Sequence, residues 1–178
     1  MVIETRGGMT KEEARELVNI SSSFRDLKKN PEAKLKDYIR ESLVLSIIAF
    51  VLLVILIVTH FISSSVLNTV GMVLAAVCLV FGIMFHIMLR SRISAYVRSV
   101  SSDPKKIVLD ENGIEMINEG VQKINLDWKN VYMVRAFEHL VVFLSNDVSG
   151  ISIISSIDHK DEVFGYIKEN HINVKTVG

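Results

Sequence analysis

One long stretch without charged side chains dominates the pattern of hydrophobic and polar positions. No Asp, Glu, Lys or Arg occurs from Ser42 to Leu89, a run of 48 residues. A helix needs about 20 apolar residues to cross the hydrocarbon core of a bilayer, so this run is long enough for two. We expect membrane spans at about Leu43–Ile62 and Leu67–Leu89, joined by the polar turn Ser63–Ser65. A chain of 178 residues has too little polar surface to bury two such helices in a soluble core.

Basic residues flank the apolar run and predict its orientation. The 20 residues before the first span contain six Lys and Arg, the 20 after the second span contain five, and the turn contains none. Because Lys and Arg accumulate on the cytoplasmic side of a membrane, both termini are expected there. The first apolar segment begins only after residue 42, which does not fit a signal peptide. The sequence therefore predicts a multi-pass protein of the plasma (inner) membrane.

The segment before the spans has a helical pattern of its own. Residues Met1–Met9 show no period and are expected to be unstructured. Thr10 followed by Glu13 is a capping box, which marks the start of a helix. After it, apolar residues recur at spacings of three and four, which predicts an amphipathic helix to about Lys29: Leu17, Ile20, Phe24 and Leu27.

Two uses of this amphipathic helix remain open. It could lie on the membrane surface, or it could pack on another part of the protein. Its polar face mixes acidic and basic side chains, which favours packing, because membrane-surface helices are usually more basic. Asn30 and Pro31 are expected to end this helix and to start a second one that runs unbroken into the first span.

Beyond Ser101–Pro104 the period changes from helix to strand. Short alternating segments separated by turns predict six strands, at Lys106–Asp110, Gly113–Asn118, Gln122–Asp127, Val131–Phe137, Leu140–Leu144 and Ile151–Ile154. Asp158 is expected to cap a final helix that extends to about Asn170. The predicted division is an amphipathic helix in residues 1–30, a transmembrane hairpin in 31–102 and a cytoplasmic α+β domain in 103–178.

Several segments resemble one family of bacterial membrane proteins. Two spans with basic flanks are followed by IVLDENGIEMINEG, INLDWKNVYMV, HLVVFLS, ISII and a terminal helix. This order resembles the YcxB-like family, most specifically at the turn Asn112-Gly113-Ile114 and in Leu126–Val131. The resemblance covers about Pro31–His171. It implies a membrane α-helical hairpin plus an α+β cytoplasmic domain, a pleckstrin-homology-like (PH-like) antiparallel β-meander or barrel closed by a C-terminal helix. It implies no enzymatic chemistry.

The sequence departs from that pattern in two places. Only six strands are visible, whereas PH folds have seven, so a further strand or an edge completed by a helix is needed. The segment Ile154-Ser155-Ser156 also lacks the proline that usually follows the sixth strand in this family.

Residues capable of catalysis or metal binding are scattered along the chain. His60 and His86 lie at opposite ends of the predicted hairpin, so with Cys78 they do not predict a metal site. The single cysteine excludes a disulfide framework, and no phosphate-binding loop, nucleophile elbow or paired-carboxylate motif occurs. With 20 basic and 20 acidic residues, the chain lacks the basic field of a nucleic-acid binder. We expect no enzyme activity, no cofactor, no metal and no nucleic-acid partner.

Four residues stand out as structural or interaction candidates. Trp128 is expected to cover an edge of the domain core, and Gly113 to belong to a hairpin turn. Gly71 and Ala75 form a small-xxx-small pair that permits close helix packing. Packing within the hairpin is the favoured use of this pair, and a homo-oligomer formed through the transmembrane helices is the alternative.

Charge argues against lipid recognition by the C-terminal domain. From Ser101 onward it carries 8 Lys and Arg against 12 Asp and Glu, a net charge of −4, and an anionic leaflet repels such a domain. We therefore expect a non-enzymatic, bilayer-anchored protein that presents an interaction or scaffolding domain to a protein partner, for instance at an exposed sheet edge. The alternatives are a self-immunity protein against a secreted antimicrobial peptide and an accessory subunit of a membrane transporter.

Overall fold

The computed structural model describes residues 1–62, 65–99, 104–118, 122–146, 151–170 and 172–178. The chain forms two compact units. One is Lys36–Arg92, which we call the helical hairpin. The other combines Met1–Leu35 with Ile93–Gly178, and we call it the sheet domain.

The helical hairpin is made of α2 (Tyr38–Ile62) and the part of α3 (Val66–Ser99) that ends at Arg92. The helices run antiparallel, as three contacts along their length show. The hydroxyl of Ser42 lies 3.0 Å from Nδ1 of His86. Gly82 lies against Ser46, and Gly71 lies against the side chain of Leu56. Close approach at both glycines agrees with the rule that small residues bring apolar helices together.

Both helices are long and apolar enough to cross a membrane. Only 17% of the apolar stretch of α2 and 6% of that of α3 is buried, whereas the core helix of a soluble protein would be mostly buried. Large apolar side chains such as Phe50 and Phe81 are therefore exposed along the hairpin. The predicted spans Leu43–Ile62 and Leu67–Leu89 lie within α2 and α3, and Ser63 and Ser64 of the connecting turn lie outside the described residues.

Within the described residues of the sheet domain, eight strands form two four-stranded sheets. In chain order they are β1 (Val2–Thr5), β2 (Lys105–Leu109), β3 (Gly113–Asn118), β4 (Gln122–Asp127), β5 (Val131–Ala136), β6 (Leu140–Ser145), β7 (Ile151–Ser156) and β8 (Lys175–Val177). Sheet A has the order β1-β2-β3-β4 and sheet B the order β7-β6-β5-β8. Neighbours are antiparallel except β5 and β8, which are parallel. The described strands form two separate sheets, not a closed barrel.

The six predicted strands are confirmed, with bounds that differ by at most two residues. The expectation that Met1–Met9 is unstructured is wrong, because Val2–Thr5 forms strand β1 and pairs with β2. Val2 lies opposite Val108, and Thr5 lies opposite Lys105. Strand β1 is too short to show a period, and its partner lies about a hundred residues away, so no local signal marks it. Strand β1 is thus added to the six strands expected from the sequence.

The main core lies between the two sheets. Alternate residues of β1, β2 and β3 point inwards, among them Ile3, Ile107 and Ile114. They meet residues of sheet B such as Phe143, which is fully buried. The final helix α4 (Lys160–Glu169) contributes Val163 and Ile167 to the same core.

Helix α1 (Lys11–Lys29) covers the other face of sheet B. Its residues Leu17, Ile20 and Leu27 pack on a second cluster of strand residues that includes Met133 and Val142. The open choice between membrane surface and protein packing is thus resolved in favour of packing. Because both faces of sheet B are covered, β6 is buried along its whole length, and its first five residues are all apolar.

The predicted unbroken helix from Pro31 into the first span is wrong. Residues 33–37 are not helical, and α2 begins at Tyr38. The guanidinium of Arg135 on β5 donates to the carbonyl oxygens of Pro31 (2.6 Å) and Ala33 (2.9 Å). Since these carbonyls would otherwise accept the bonds of the next helical turn, Arg135 holds the segment in an irregular conformation.

The predicted cap at Asp158 is also wrong. Asp158 belongs to a short 3₁₀ turn, Ile157–His159, and the residue before α4 is His159, whose side chain makes no capping bond. The side chain of Ser156 accepts from the backbone N–H of Asp158 and caps the 3₁₀ turn instead.

Removing the side chain that anchors β1 tests the unexpected strand. Ile3 is 2% exposed in the main core, whereas its neighbour Val2 is 60% exposed. We expect Ile3→Ala to lower the free energy of unfolding by roughly 2–5 kcal/mol, and Val2→Ala to change it by less than about 0.5 kcal/mol. Fluorescence of Trp128, the only tryptophan, reports denaturant unfolding of the full chain in detergent. Equal small effects of the two substitutions would show that β1 is not part of the core.

Candidate functional site

Two of the four residues singled out from the sequence lie together at one end of sheet A. The turn between β2 and β3 is Asp110–Asn112, and Oδ1 of Asp110 accepts from the N–H groups of Asn112 (2.7 Å) and Gly113 (2.8 Å). The indole of Trp128 is 8% exposed and donates through Nε1 to the carbonyl oxygen of Asp110 at 2.8 Å. Trp128 therefore joins the β2–β3 turn to the start of β5.

A glycine is needed at position 113 because there is no room for a side chain, and not because the backbone conformation is unusual. Its φ is not positive, but a Cβ at this position would collide with the carbonyl oxygen of Leu126 and lie 3.0 Å from Cα of Asp127. The glycine permits the close approach of β3 and β4 beside Trp128. Tight packing at this end thus depends on a residue without a side chain.

A matched pair of glycine substitutions tests this steric role. Gly113→Ala forces the β3 and β4 backbones apart, and we expect it to cost about 1–3 kcal/mol of stability. Gly165→Ala is the control, because a Cβ on Gly165 in α4 meets nothing within 4 Å. We expect that change to stabilise the domain by roughly 0.5–1 kcal/mol, since alanine favours a helix. Denaturant unfolding followed by Trp128 fluorescence measures both, and a neutral Gly113→Ala would contradict the argument.

The other two candidates lie in the helical hairpin. Gly71 faces Leu56 of α2, where an added Cβ would be 3.4 Å from the leucine methyl groups. Ala75 lies one helical turn further along α3 and is likewise partly buried. Both are consistent with packing inside the hairpin. Among the described residues, no three His, Cys, Asp or Glu side chains are grouped so that they could hold a metal ion.

Two acidic residues of α1 tie this helix to its surroundings. The carboxylate of Glu16 accepts from the backbone N–H groups of Glu138 (2.7 Å) and His139 (2.9 Å) in the β5–β6 turn. Glu13 completes the predicted capping box with Thr10 and forms an ion pair with Arg6 at 2.6 Å. Glu16 thus fixes the helix to sheet B, and Glu13 fixes its start to the segment that follows β1.

The two carboxyl groups have pKa values displaced in opposite directions. Burial raises the pKa of Glu16, and the backbone hydrogen bonds from His139 and Glu138 offset this only in part. Burial also acts to raise the pKa of Glu13, but hydrogen bonds from Thr10 and Arg6, with the charge of Arg6, outweigh it and lower the pKa below its ordinary value of 4.5. Ionised Glu13 therefore stabilises the fold at neutral pH.

This lowered pKa predicts how a neutral substitute at Glu13 depends on pH. Glutamine keeps a hydrogen-bond acceptor but loses the charge, so Glu13→Gln should cost about 1 kcal/mol at pH 7. A group with a lowered pKa loses its contribution as the pH falls through that pKa, so the difference in stability between wild type and variant should shrink as the pH falls below the ordinary pKa of 4.5. Unfolding at several pH values measures the gap. The exposed neighbour Glu12→Gln is the control, and a difference in stability as large at pH 3 as at pH 7 would refute the assignment.

A cavity of about 250 Å³ opens into the sheet domain beside these residues. Its lining comes from the ends of β1 and β2, the link Arg6–Met9, α1, β7 and Tyr96 near the end of α3. Among its polar groups are the ion pair of Arg6 with Glu13, the amine of Lys105 and the hydroxyl of Ser155. Burial lowers the pKa of Lys105.

Strand β4 leaves one edge of sheet A open. Among the described residues, no strand pairs with the side of β4 that faces away from β3. The N–H of Trp128 donates to the carbonyl oxygen of Asn112, which continues the β3–β4 register. Since hydrogen-bonded and non-bonded pairs alternate in an antiparallel ladder, the backbone groups of Asn125 and Asp127 point away from β3. An extended chain could therefore add to this edge.

Sequence reasoning missed several residues that this geometry uses. Glu16 and Arg135 act on main-chain groups more than a hundred residues away, and no local spacing shows such a contact. Lys105 lies just before the predicted strand Lys106–Asp110, yet it shares the inward face of β2 with Ile107 and Leu109. Extending the predicted strand by one residue at its start would have placed Lys105 on the inward face, because inward and outward residues alternate along β2.

Comparisons with known proteins add no relative. No protein-family model matches the chain, and neither a curated protein nor a solved structure matches it.

Proposed function

We propose that this chain is a non-enzymatic, membrane-anchored protein that presents a PH-like interaction domain at the cytoplasmic face of the plasma membrane. The partner in this proposal is a protein, bound through an extended segment. In this proposal the chain is a distant member of the YcxB-like family that its sequence resembles.

The observation that carries the proposal is the insertion of the apolar hairpin between two paired strands. Strand β1 precedes the hairpin and β2 follows it, yet the two are neighbours in sheet A. The sheet domain is therefore connected to the hairpin through two covalent links, one on each side. A domain inserted in this way is anchored more firmly than one on a single linker, which fits a role in holding a binding surface at a membrane.

The strand order supports the PH-like part of the proposal. Strands β1 to β4 form one sheet in sequence, β5 to β7 form most of the second, and α4 adds to the core between them. Seven strands and a C-terminal helix make up a PH fold, and β1, the first of the seven here, precedes the segment Pro31–His171 that carries the family resemblance. Helix α1 and strand β8 are additions to that plan.

The open edge of β4 supports binding of an extended partner segment. It is six residues long, against four in β1, the other edge strand of sheet A. The exposed Asn125 and Asp127 offer outward N–H and carbonyl groups, and main-chain pairing with such an edge is a general mode of peptide recognition. The acidic character of the domain makes this more favourable than binding to an anionic lipid surface.

Substituting proline on this edge tests the proposed binding mode in cells. Asn125→Pro removes an N–H that points away from β3, so the domain's own ladder keeps its bonds while a partner strand loses one. With a photo-crosslinking residue at exposed Lys129, we expect crosslinked partner in the wild type and in Asn125→Ala, and at least about tenfold less in Asn125→Pro. Equal crosslinking of all three would contradict edge binding.

The orientation is checked in the same protein. Asn125→Cys, combined with Cys78→Ser, places a single thiol on the β4 edge. A membrane-impermeant maleimide should label it only after the cells are opened, because the sheet domain is proposed to lie in the cytoplasm. Labelling of intact cells would overturn the orientation. Unfolding followed by Trp128 fluorescence confirms that the proline variant is folded.

A further inference from the structure

The cavity in the sheet domain contains a lysine on the inward face of a strand. Lys105 follows the same alternation as Ile107 and Leu109, both of which lie in the main core. No described residue forms an ion pair with its amine, and its side chain is only partly exposed. The next residue, Lys106, faces outwards and pairs with Glu4 at 3.5 Å. A charged amine turned inwards without a carboxylate needs another partner.

Ser155 provides a second polar group in the same cavity. It lies on the inward face of β7, opposite Val141, and is 2% exposed. Within the described part of the chain its hydroxyl has no hydrogen-bond partner. Buried hydroxyl groups are nearly always hydrogen-bonded, so an unpartnered one that lines a cavity indicates a group still to be supplied.

The remaining lining defines the charge and polarity of a fitting molecule. Arg6 and Glu13 neutralise each other, so Lys105 leaves the described lining with one net positive charge. The rest is largely apolar and consists of Met9, Leu17, Met116, Leu140 and Ile154 together with Tyr96. A few polar groups in a mainly apolar concave site are typical of small-molecule pockets.

We propose that this cavity binds a small amphiphile with one anionic group, a carboxylate or a phosphate monoester. The anionic group lies at Lys105 and accepts from the hydroxyl of Ser155, and the apolar part lies along the methionine and leucine side chains. The molecule is either a soluble metabolite or a membrane lipid, since both offer this chemistry. The site is separate from the β4 edge, so it does not depend on the proposed partner protein.

Calorimetry on the full chain tests the proposal. The protein is placed in nanodiscs of phosphatidylcholine alone and titrated with hexanoate or hexyl phosphate, with hexanol as the uncharged analogue and empty nanodiscs as the blank. We expect the anions to bind at least about tenfold more tightly than hexanol. Lys105→Met should weaken anion binding at least about tenfold, and Ser155→Ala several-fold. Lys106→Met is the matched control and should change it less than about twofold.

The same titration distinguishes the two sources. If the natural ligand is an anionic lipid, nanodiscs that contain phosphatidylglycerol should compete with hexanoate, and if it is a soluble anion they should not. Binding of hexanol as tight as hexanoate, equal losses in Lys105→Met and Lys106→Met, or no heat above the blank would each overturn the proposal. Trp128 fluorescence shows that every variant compared is folded.

Discussion

The pairing of β1 with β2 is the contact on which the sheet domain depends. Thr5 and Lys105 lie opposite each other although 100 residues separate them. Closing a flexible loop of that length would cost roughly 4 kcal/mol in chain entropy. The hairpin reduces this cost, because contacts such as Ser42 with His86 already return the chain to its starting end. A preformed hairpin shortens the effective loop and so lowers the chain-entropy cost of pairing β1 with β2.

In sheet B, packing on both faces removes the usual alternation of apolar and polar residues along a strand. One face meets sheet A across the main core, and the other is covered by α1. This is why β6 is apolar at five consecutive positions, Leu140 to Leu144. Covering the sheet brings the buried carboxylate of Glu16 against the β5–β6 turn, where two N–H groups satisfy it. The polar contacts of α1 thus determine where the helix docks, and its apolar residues provide most of the burial.

The sequence pattern was sufficient wherever the determining contacts are local. Alternation predicted β3 and β4 at their observed bounds, and the Thr10–Glu13 capping box predicted the start of α1. The pattern failed where a residue distant in sequence determines the local conformation. The four residues of β1 form a strand because they pair with β2. Arg135 donates to carbonyl oxygens that a helix after Pro31 would need for its own hydrogen bonds. The candidate cavity was missed for the same reason, since its groups come from both ends of the sequence.

The cavity lies where the pairing of β1 with β2 ends. Strand β1 ends at Thr5 and β2 begins at Lys105, so the ladder stops where the chain leaves sheet A and where it returns. Beyond the pair Thr5–Lys105, β1 and β2 no longer shield the core of the sheet domain from solvent. Lys105 is therefore both inward-facing and close to an opening, and the link Arg6–Met9 forms part of the wall. A molecule bound there would contact the link Arg6–Met9, which leads from β1 to α1, and Lys105 at the start of β2. Occupancy of the cavity and the stability of the β1–β2 pairing are consequently linked, because a ligand that binds only the paired state stabilises it.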